Sequence, residues 1–288
     1  MRNRRDGKLV KNIDGMHVLM PYLKPNRCDS DVFINYKFDV TELIKYVEKK
    51  KKENPNEKLT YFHVFVTAIG KVIYNRPLLN RFVVNKRYYD RNNVSISFVA
   101  KGEFTDDSKE FMSTVNIEEN DTLESVRKKV LDKVTKTRKS DNNSTDKAVD
   151  LVGKLPKFIR DVAMGIFMFM DRHDLLPKSL CEDNIYYSSV LVSNLGSIDC
   201  GAIYHNLTDF GTSSILVTIG DIHKEQVLNK DGTTEIRDIC EFGINLDERI
   251  ADGFYFIKSV KLLEEIFKNP EKLEEPANSK IKKEAKKN

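Results

Sequence analysis

The spacing of apolar and polar residues divides the chain into alternating strands and helices. VFINYKFDV (Val32–Val40) alternates closely enough to read as a strand. TELIKYVEKKKK follows as a helix, with Asp39 and Glu42 as its expected capping box. Lys49–Lys52 then fall in its last turn, where cations complement the helix dipole and stay solvated. LTYFHVFVTAIGKVIYN (Leu59–Asn75) is apolar on most faces, which predicts a buried helix ending at Arg76-Pro77. RFVVNKRYYDR reads as a hairpin turning near Asn85–Arg87, and VSISFVA and EFMSTVNI read as further strands.

Asp121 and Glu124 predict a second capping box, opening an amphipathic helix with Leu123, Val126, Val130, Leu131 and Val134 on one side. Lys136–Lys147 is polar throughout and reads as an exposed loop. Phe158–Met170 is unusually apolar, and the expectation is a buried core or subunit-contact helix. SSVLVSNLG (Ser188–Gly196) and SSILVTIG (Ser213–Gly220) are β-branched runs, and Gln226–Asp247 reads as a hairpin around Asp231-Gly232. A final helix ends before Pro270, and the polar tail reads as disordered. The expected organisation is an N-terminal arm (1–30), one α/β domain (31–269) and a tail (270–288), with no internal linker or repeat.

Composition narrows the function classes. The chain has 288 residues, of which 40% are hydrophobic and 32% charged, enough for an ample core. Forty-eight Lys+Arg oppose 44 Asp+Glu for a net charge of +4, which argues against nucleic acid as the main partner. Cys28, Cys181, Cys200 and Cys240 form no CxxC pair and have no histidine at zinc-ligand spacing, so neither a metal site nor a disulfide framework is expected. The basic N-terminus lacks the apolar core of a signal peptide. The longest apolar run, Val162–Met170, is about half of the ~20 residues a membrane-spanning helix needs. A cytoplasmic protein without stable membrane insertion is expected, and the sequons at Asn143 and Asn206 read as chance matches.

No phosphate-cradling glycine loop, HExxH or GxSxG motif is present. The informative segment is LDERIADG (Leu246–Gly253), between a strand pattern and the last helix. It resembles the active-site signature of the dihydrolipoamide acyltransferase core of 2-oxoacid dehydrogenase complexes, and of the related chloramphenicol acetyltransferases. In those families a histidine precedes Asp-Gly by four residues, and the acyltransferase core usually places Asp before it and Arg after it. Asp247, Arg249, Asp252 and Gly253 match, whereas Glu248 stands at the histidine's place. VSNLG resembles the strand whose serine or threonine faces the oxyanion, which assigns that role to Ser193. FDVTELI and LTYFHVFVTAIGKVIYNRPLLNRF resemble the family's early strand, helix and buried helix. The resemblance covers roughly Val32–Asn269. It implies a chloramphenicol acetyltransferase-like mixed sheet backed by helices, a homotrimer with active sites between neighbouring chains, and a coenzyme A thioester as substrate. No lipoyl or peripheral-subunit-binding domain precedes the fold, so this chain alone is not expected to act as a swinging-arm subunit.

In the family mechanism a neutral histidine takes a proton from a thiol or hydroxyl, which attacks an acyl carbonyl while a serine stabilises the oxyanion. The resemblance assigns Asp252 an ion pair with an arginine that holds the site, and Gly253 the tight turn into the helix. Asp247 and Arg249 are expected to be structural, and Asn194, Gly196 and His205 to line the substrate site. A free Glu has a pKa of about 4.3 against about 8.5 for a thiol, so the transfer runs uphill by about four units. Glu248 therefore reads either as an altered base with weak activity or as a carboxylate paired with a neighbouring Lys or Arg in a silent site. His205 is the nearest replacement base in sequence; His63 reads as a core residue with a hydrogen-bond partner, and His173 as a C-terminal cap. The apolar Phe158–Met170 stretch has two alternative uses, a lid over an acyl channel and a shallow membrane contact.

Overall fold

Alternation sets which side of each strand is buried. In the computed structural model, which describes residues 2–101, 110–139, 152–182, 184–229 and 231–281, nine strands form two sheets. β1 (Gly7–Leu9), β3 (Arg81–Val84) and β4 (Arg87–Arg91) make a small antiparallel sheet in the order β1-β4-β3. The main sheet runs β2-β9-β8-β7-β5-β6, from β2 (Asp31–Asp39), β5 (Val94–Lys101), β6 (Glu110–Ile117), β7 (Val190–Asn194), β8 (Ile215–Leu228) and β9 (Thr234–Asp247). Its β5/β7 and β7/β8 pairings are parallel and its other pairings antiparallel, a mixed sheet as expected. Asn85 and Lys86 both have positive φ, the mirror-image turn that matches the twist of the β3/β4 hairpin.

The helices of the described residues are α1 (Gly15–Leu23), α2 (Thr41–Glu53), α3 (Tyr61–Asn75), α4 (Leu123–Lys139), α5 (Lys157–Arg172), the single turn α6 (Lys178–Cys181) and α7 (Gly253–Lys268). α2, α3, α4 and α7 back one face of the main sheet. Val190, Val192, Val217, Ile219, Phe242 and Ile244 point into that layer and are buried. Phe38, Phe65, Phe242 and Phe267 interlock there, with ring centroids 4.9–5.8 Å apart. Edge-to-face packing of this kind adds to the burial of each ring. At the start of α3, His63 Nδ1 accepts the Thr60 backbone N–H at 3.0 Å, closing a capping box in which histidine takes the place of glutamate. The two boxes expected from the sequence differ. Asp39 accepts from Thr41 N–H without Glu42, and Ser125 rather than Glu124 bonds Thr122 and Asp121, because Glu124 is turned outward to Arg127.

The tail needs correction. Pro270–Glu274 is a 3₁₀ turn, Leu273 and Ala277 are buried in the core, and Lys71 Nζ donates to Pro276 O at 2.7 Å and Ser279 Oγ at 2.6 Å. Two or three apolar residues spread through a polar stretch are enough to dock it, because Lys71, buried in α3, requires acceptors there. The remainder of the tail, the sequon at Asn143 and most of the Lys136–Lys147 loop lie outside the described residues.

α5 also departs from the first of its two expected uses, a buried core helix. Phe158, Ile159, Val162, Ile166 and Phe169 are each half exposed or more, so this helix is not a core helix of the single chain. His173 does end it, its ring Nδ1 meeting Phe169 O at 2.7 Å.

Candidate active site

The LDERIADG segment begins as β9 leaves the sheet. Asp247 N–H donates to Ser214 O at 3.0 Å and Glu248 N–H to Ser30 O at 2.9 Å, fixing both residues against neighbouring elements. The Asp247 carboxylate is fully buried and accepts a two-pronged contact from Arg249, whose Nε and Nη2 each lie 2.8 Å from one of its oxygens. Arg249 Nη1 continues to the carbonyls of Lys24 and Pro25 at 3.0 and 3.2 Å. A second buried cation, Arg27, stands with Nε 4.0 Å from Asp247 and donates to the carbonyls of Thr208 and Gly211. Burial pulls both guanidinium pKa values down. For Arg249 the Asp247 hydrogen bonds outweigh that and leave it raised; for Arg27 burial wins. Asp247 and Arg249 thus brace the strand end against the segments that carry Lys24, Pro25 and Arg27.

Glu248 forms an ion pair with Lys24, the residue that ends α1, and both side chains are about one third exposed. Glu248 is therefore a salt-bridged carboxylate. Asp252 forms no ion pair among the described residues. It is the N-cap of α7, its carboxylate accepting Tyr255 N–H at 2.7 Å, so the expected arginine contact is replaced by a capping role that any short polar side chain could fill. Gly253 needs correction for a similar reason. It is the first residue of α7, has no positive φ, and a Cβ there would meet nothing within 4 Å. The turn does not require glycine.

Ser193 lies elsewhere. On β7 it pairs with Thr218 of β8, which pairs with Gly243 of β9. Its neighbours Val190 and Val192 face the helices, so Ser193 faces the helix-free side, and no hydrogen bond engages its hydroxyl among the described residues. Glu248 is five residues beyond Gly243 and two strands across. At about 3.4 Å per residue and about 4.8 Å per strand, the two are roughly 20 Å apart. One chain does not bring Ser193, Asn194 and Gly196 together with Glu248. Gly196 serves close packing, since a Cβ there would lie 2.6 Å from Gly220 O; Asn194 O accepts Ser197 Oγ at 2.9 Å.

Between them runs the loop carrying His205. It lies flat on the helix-free face because Gly243 has no side chain: a Cβ there would meet Ile203 O at 2.4 Å. Thr218 Oγ1 donates to Ile203 O, and Asn245 Nδ2 to His205 O at 2.8 Å. The His205 ring is exposed and contacts the Asn206 carbonyl at 3.0 Å. His63 is buried, and desolvation lowers its pKa to about 4. Lys24 and Arg27 escape sequence reasoning because their partners lie 224 and more than 180 residues away, and nothing local marks them.

No protein-family model matches the chain, and no curated protein matches it by sequence. Solved structures do match. A probable dihydrolipoamide acetyltransferase from Listeria monocytogenes superposes with a TM-score of 0.59 at 17% identity, covering 91% of this chain and 95% of that one. A truncated catalytic core of the 2-oxoacid dehydrogenase complex from Thermoplasma acidophilum gives 0.56 at 14% identity, covering 91% and 98%. A chloramphenicol acetyltransferase gives 0.52 at 9% identity, covering 91% and 99%. The fold is that of the chloramphenicol acetyltransferase-like acyltransferases. Within this fold the strand-end segment Asp247–Gly253 leads into the last long helix, and the helix-free face carries Ser193. Among the described residues no helix is long and apolar enough to cross a membrane.

Proposed function

We propose that this chain forms a homotrimer of acyltransferase fold whose base position is silenced, leaving a scaffold or a binding protein for coenzyme A thioesters rather than an efficient acyltransferase. The observation that carries this reading is the Glu248–Lys24 ion pair. A general base needs a free lone pair and a pKa near that of the group it deprotonates. The Lys24 ammonium engages one oxygen of this carboxylate, a carboxylate is a far weaker base than a thiolate, and its charge opposes the thiolate and oxyanion that must form. The roughly 20 Å between Ser193 and Glu248 supports a site completed only across chains. The likeness to the core of the pyruvate dehydrogenase multienzyme complex, described as cubic, supports assembly.

The test combines light-scattering mass measurement, calorimetry with coenzyme A, and acetyl transfer from acetyl-coenzyme A to thiol, amine and hydroxyl acceptors. The reading expects a trimer, no turnover by the native chain, and turnover appearing in Glu248→His. A specific observation favours a second reading, acyl transfer with Glu248 as an altered base: the Ser193 hydroxyl is unpartnered among the described residues and free to meet an oxyanion. Native turnover that drops about 10²-fold or more in both Glu248→Gln and Ser193→Ala would establish that second reading instead.

A further inference from the structure

α5 contributes no side chain to the main apolar core. Its inner side is fastened: Phe167 stacks on Phe210 with centroids 5.3 Å apart, and the buried Asp171 accepts from the Tyr187 hydroxyl at 2.5 Å and from Gly211 N–H at 3.2 Å. The helix therefore has a fixed orientation, and its outer side is an apolar ridge. Phe158 is 78% exposed, and Ile159, Val162, Ile166 and Phe169 are 50–56% exposed. Taken at 100° per residue, these five fall within about a 100° arc. A ridge of this size on a folded chain marks a contact surface.

The charges around it select the partner. The acidic groups of α5 and of the turn that ends it are engaged: Asp161 by Lys157 at 2.6 Å, Asp174 by Arg5 at 2.7 Å, and Asp171 in the interior. Lys154 and Arg160 near the N-terminal end, with Arg172 and Arg2 at the C-terminal end, have no carboxylate partner among the described residues; Arg2 donates to His173 O. A second copy of α5, packed parallel or antiparallel, would set these cations against cations. At about 1.5 Å per residue the helix is about 24 Å long, short of the ~30 Å hydrocarbon layer. The geometry points to α5 as an in-plane contact with an anionic lipid surface, Phe158, Val162, Ile166 and Phe169 entering the acyl boundary and the end cations meeting headgroups. This contact is independent of acyl-transfer chemistry.

The test is flotation of the full chain with vesicles of phosphatidylcholine alone and of phosphatidylcholine with 30% phosphatidylglycerol, together with mass measurement by light scattering. Binding to the anionic vesicles is expected, at least tenfold weaker to the neutral ones and weakened by 0.5 M salt. Val162→Glu/Ile166→Glu should lose vesicle binding tenfold or more with unchanged mass. Ile236→Glu, on the β8/β9 hairpin and more exposed than either ridge position, should leave it unchanged. No flotation by the native chain, equal loss in Ile236→Glu, or a fall in oligomeric mass in the ridge variant without loss of flotation would each overturn the contact.

Discussion

The two faces of the main sheet are held by opposite means. On the helix face, side chains from β2, β7, β8 and β9 enter an apolar layer with four interlocked phenylalanines. At the strand ends on the other face, Asp247 is enclosed by Arg249 and Arg27, and among the described residues several buried polar atoms, including Arg27 Nε, Asp31 Oδ1, Ser214 Oγ and Asn245 Oδ1, have no hydrogen-bond partner. Burial also raises the Asp31 carboxyl above its usual range. An apolar layer tolerates small errors, whereas an enclosed charge fails once its partner is removed. The polar end therefore holds the conformation of the candidate site, and the apolar layer holds the fold.

The largest expected effect tests this division directly. Asp247→Ala leaves Arg249 and Arg27 buried without their shared carboxylate, so stability should fall by about 3–5 kcal/mol. Urea denaturation followed by circular dichroism measures it. A loss under about 1 kcal/mol would mean that the strand-end charges are not what fixes this region.

The helix face contains a titratable group of its own. His63 is neutral when folded, with a pKa of about 4, against about 6.5 in the unfolded chain. Between those values the unfolded chain binds the proton and the folded chain does not. This stabilisation is complete above pH 6.5 and is lost as the pH falls towards 4, by about 3 kcal/mol in total. Urea midpoints of the native chain and His63→Gln should converge as the pH falls from 7.5 to 4.5. Parallel pH dependences in the two would remove His63 as the cause.

Asp252 shares a motif with Asp247 but not its environment. As an exposed N-cap it should lose about 1 kcal/mol on replacement by alanine, several-fold less than Asp247. The same denaturation series decides the order, and a larger loss at Asp252 would restore the ion-pair role expected from the motif.

The contrast also explains what was legible in the sequence. Strand alternation, the apolar α3 and the Asn85-Lys86 turn depend on neighbours within a few residues, so the helix face could be read almost element by element. The motif marked Asp247 and Arg249 but gave the ion pair to Asp252, because a linear signature does not say which of its two carboxylates turns towards the arginine. Lys24, Arg27 and the docking of the tail on Lys71 were not legible, because each joins segments about 180 residues or more apart. The exposure of α5 was hidden differently: periodicity marks an apolar stripe without saying whether the chain itself covers it.

The smallest expected effect concerns the ion pair on which the functional reading rests. Lys24 and Glu248 are each about one third exposed, and solvent screens such a pair to about 0–1 kcal/mol. A double-mutant cycle of Lys24→Met and Glu248→Gln should give a coupling in that range by urea denaturation. Stability is then not the reason for this carboxylate, which separates Glu248 from Asp247 one residue before it. A coupling above about 2 kcal/mol would make Glu248 part of the same structural cluster and remove the need for a functional account. A small coupling leaves the side chain's chemistry as its distinguishing property. In that case Lys24→Met, which frees the Glu248 carboxylate at little cost to the fold, becomes the variant in which residual acyl transfer should be sought.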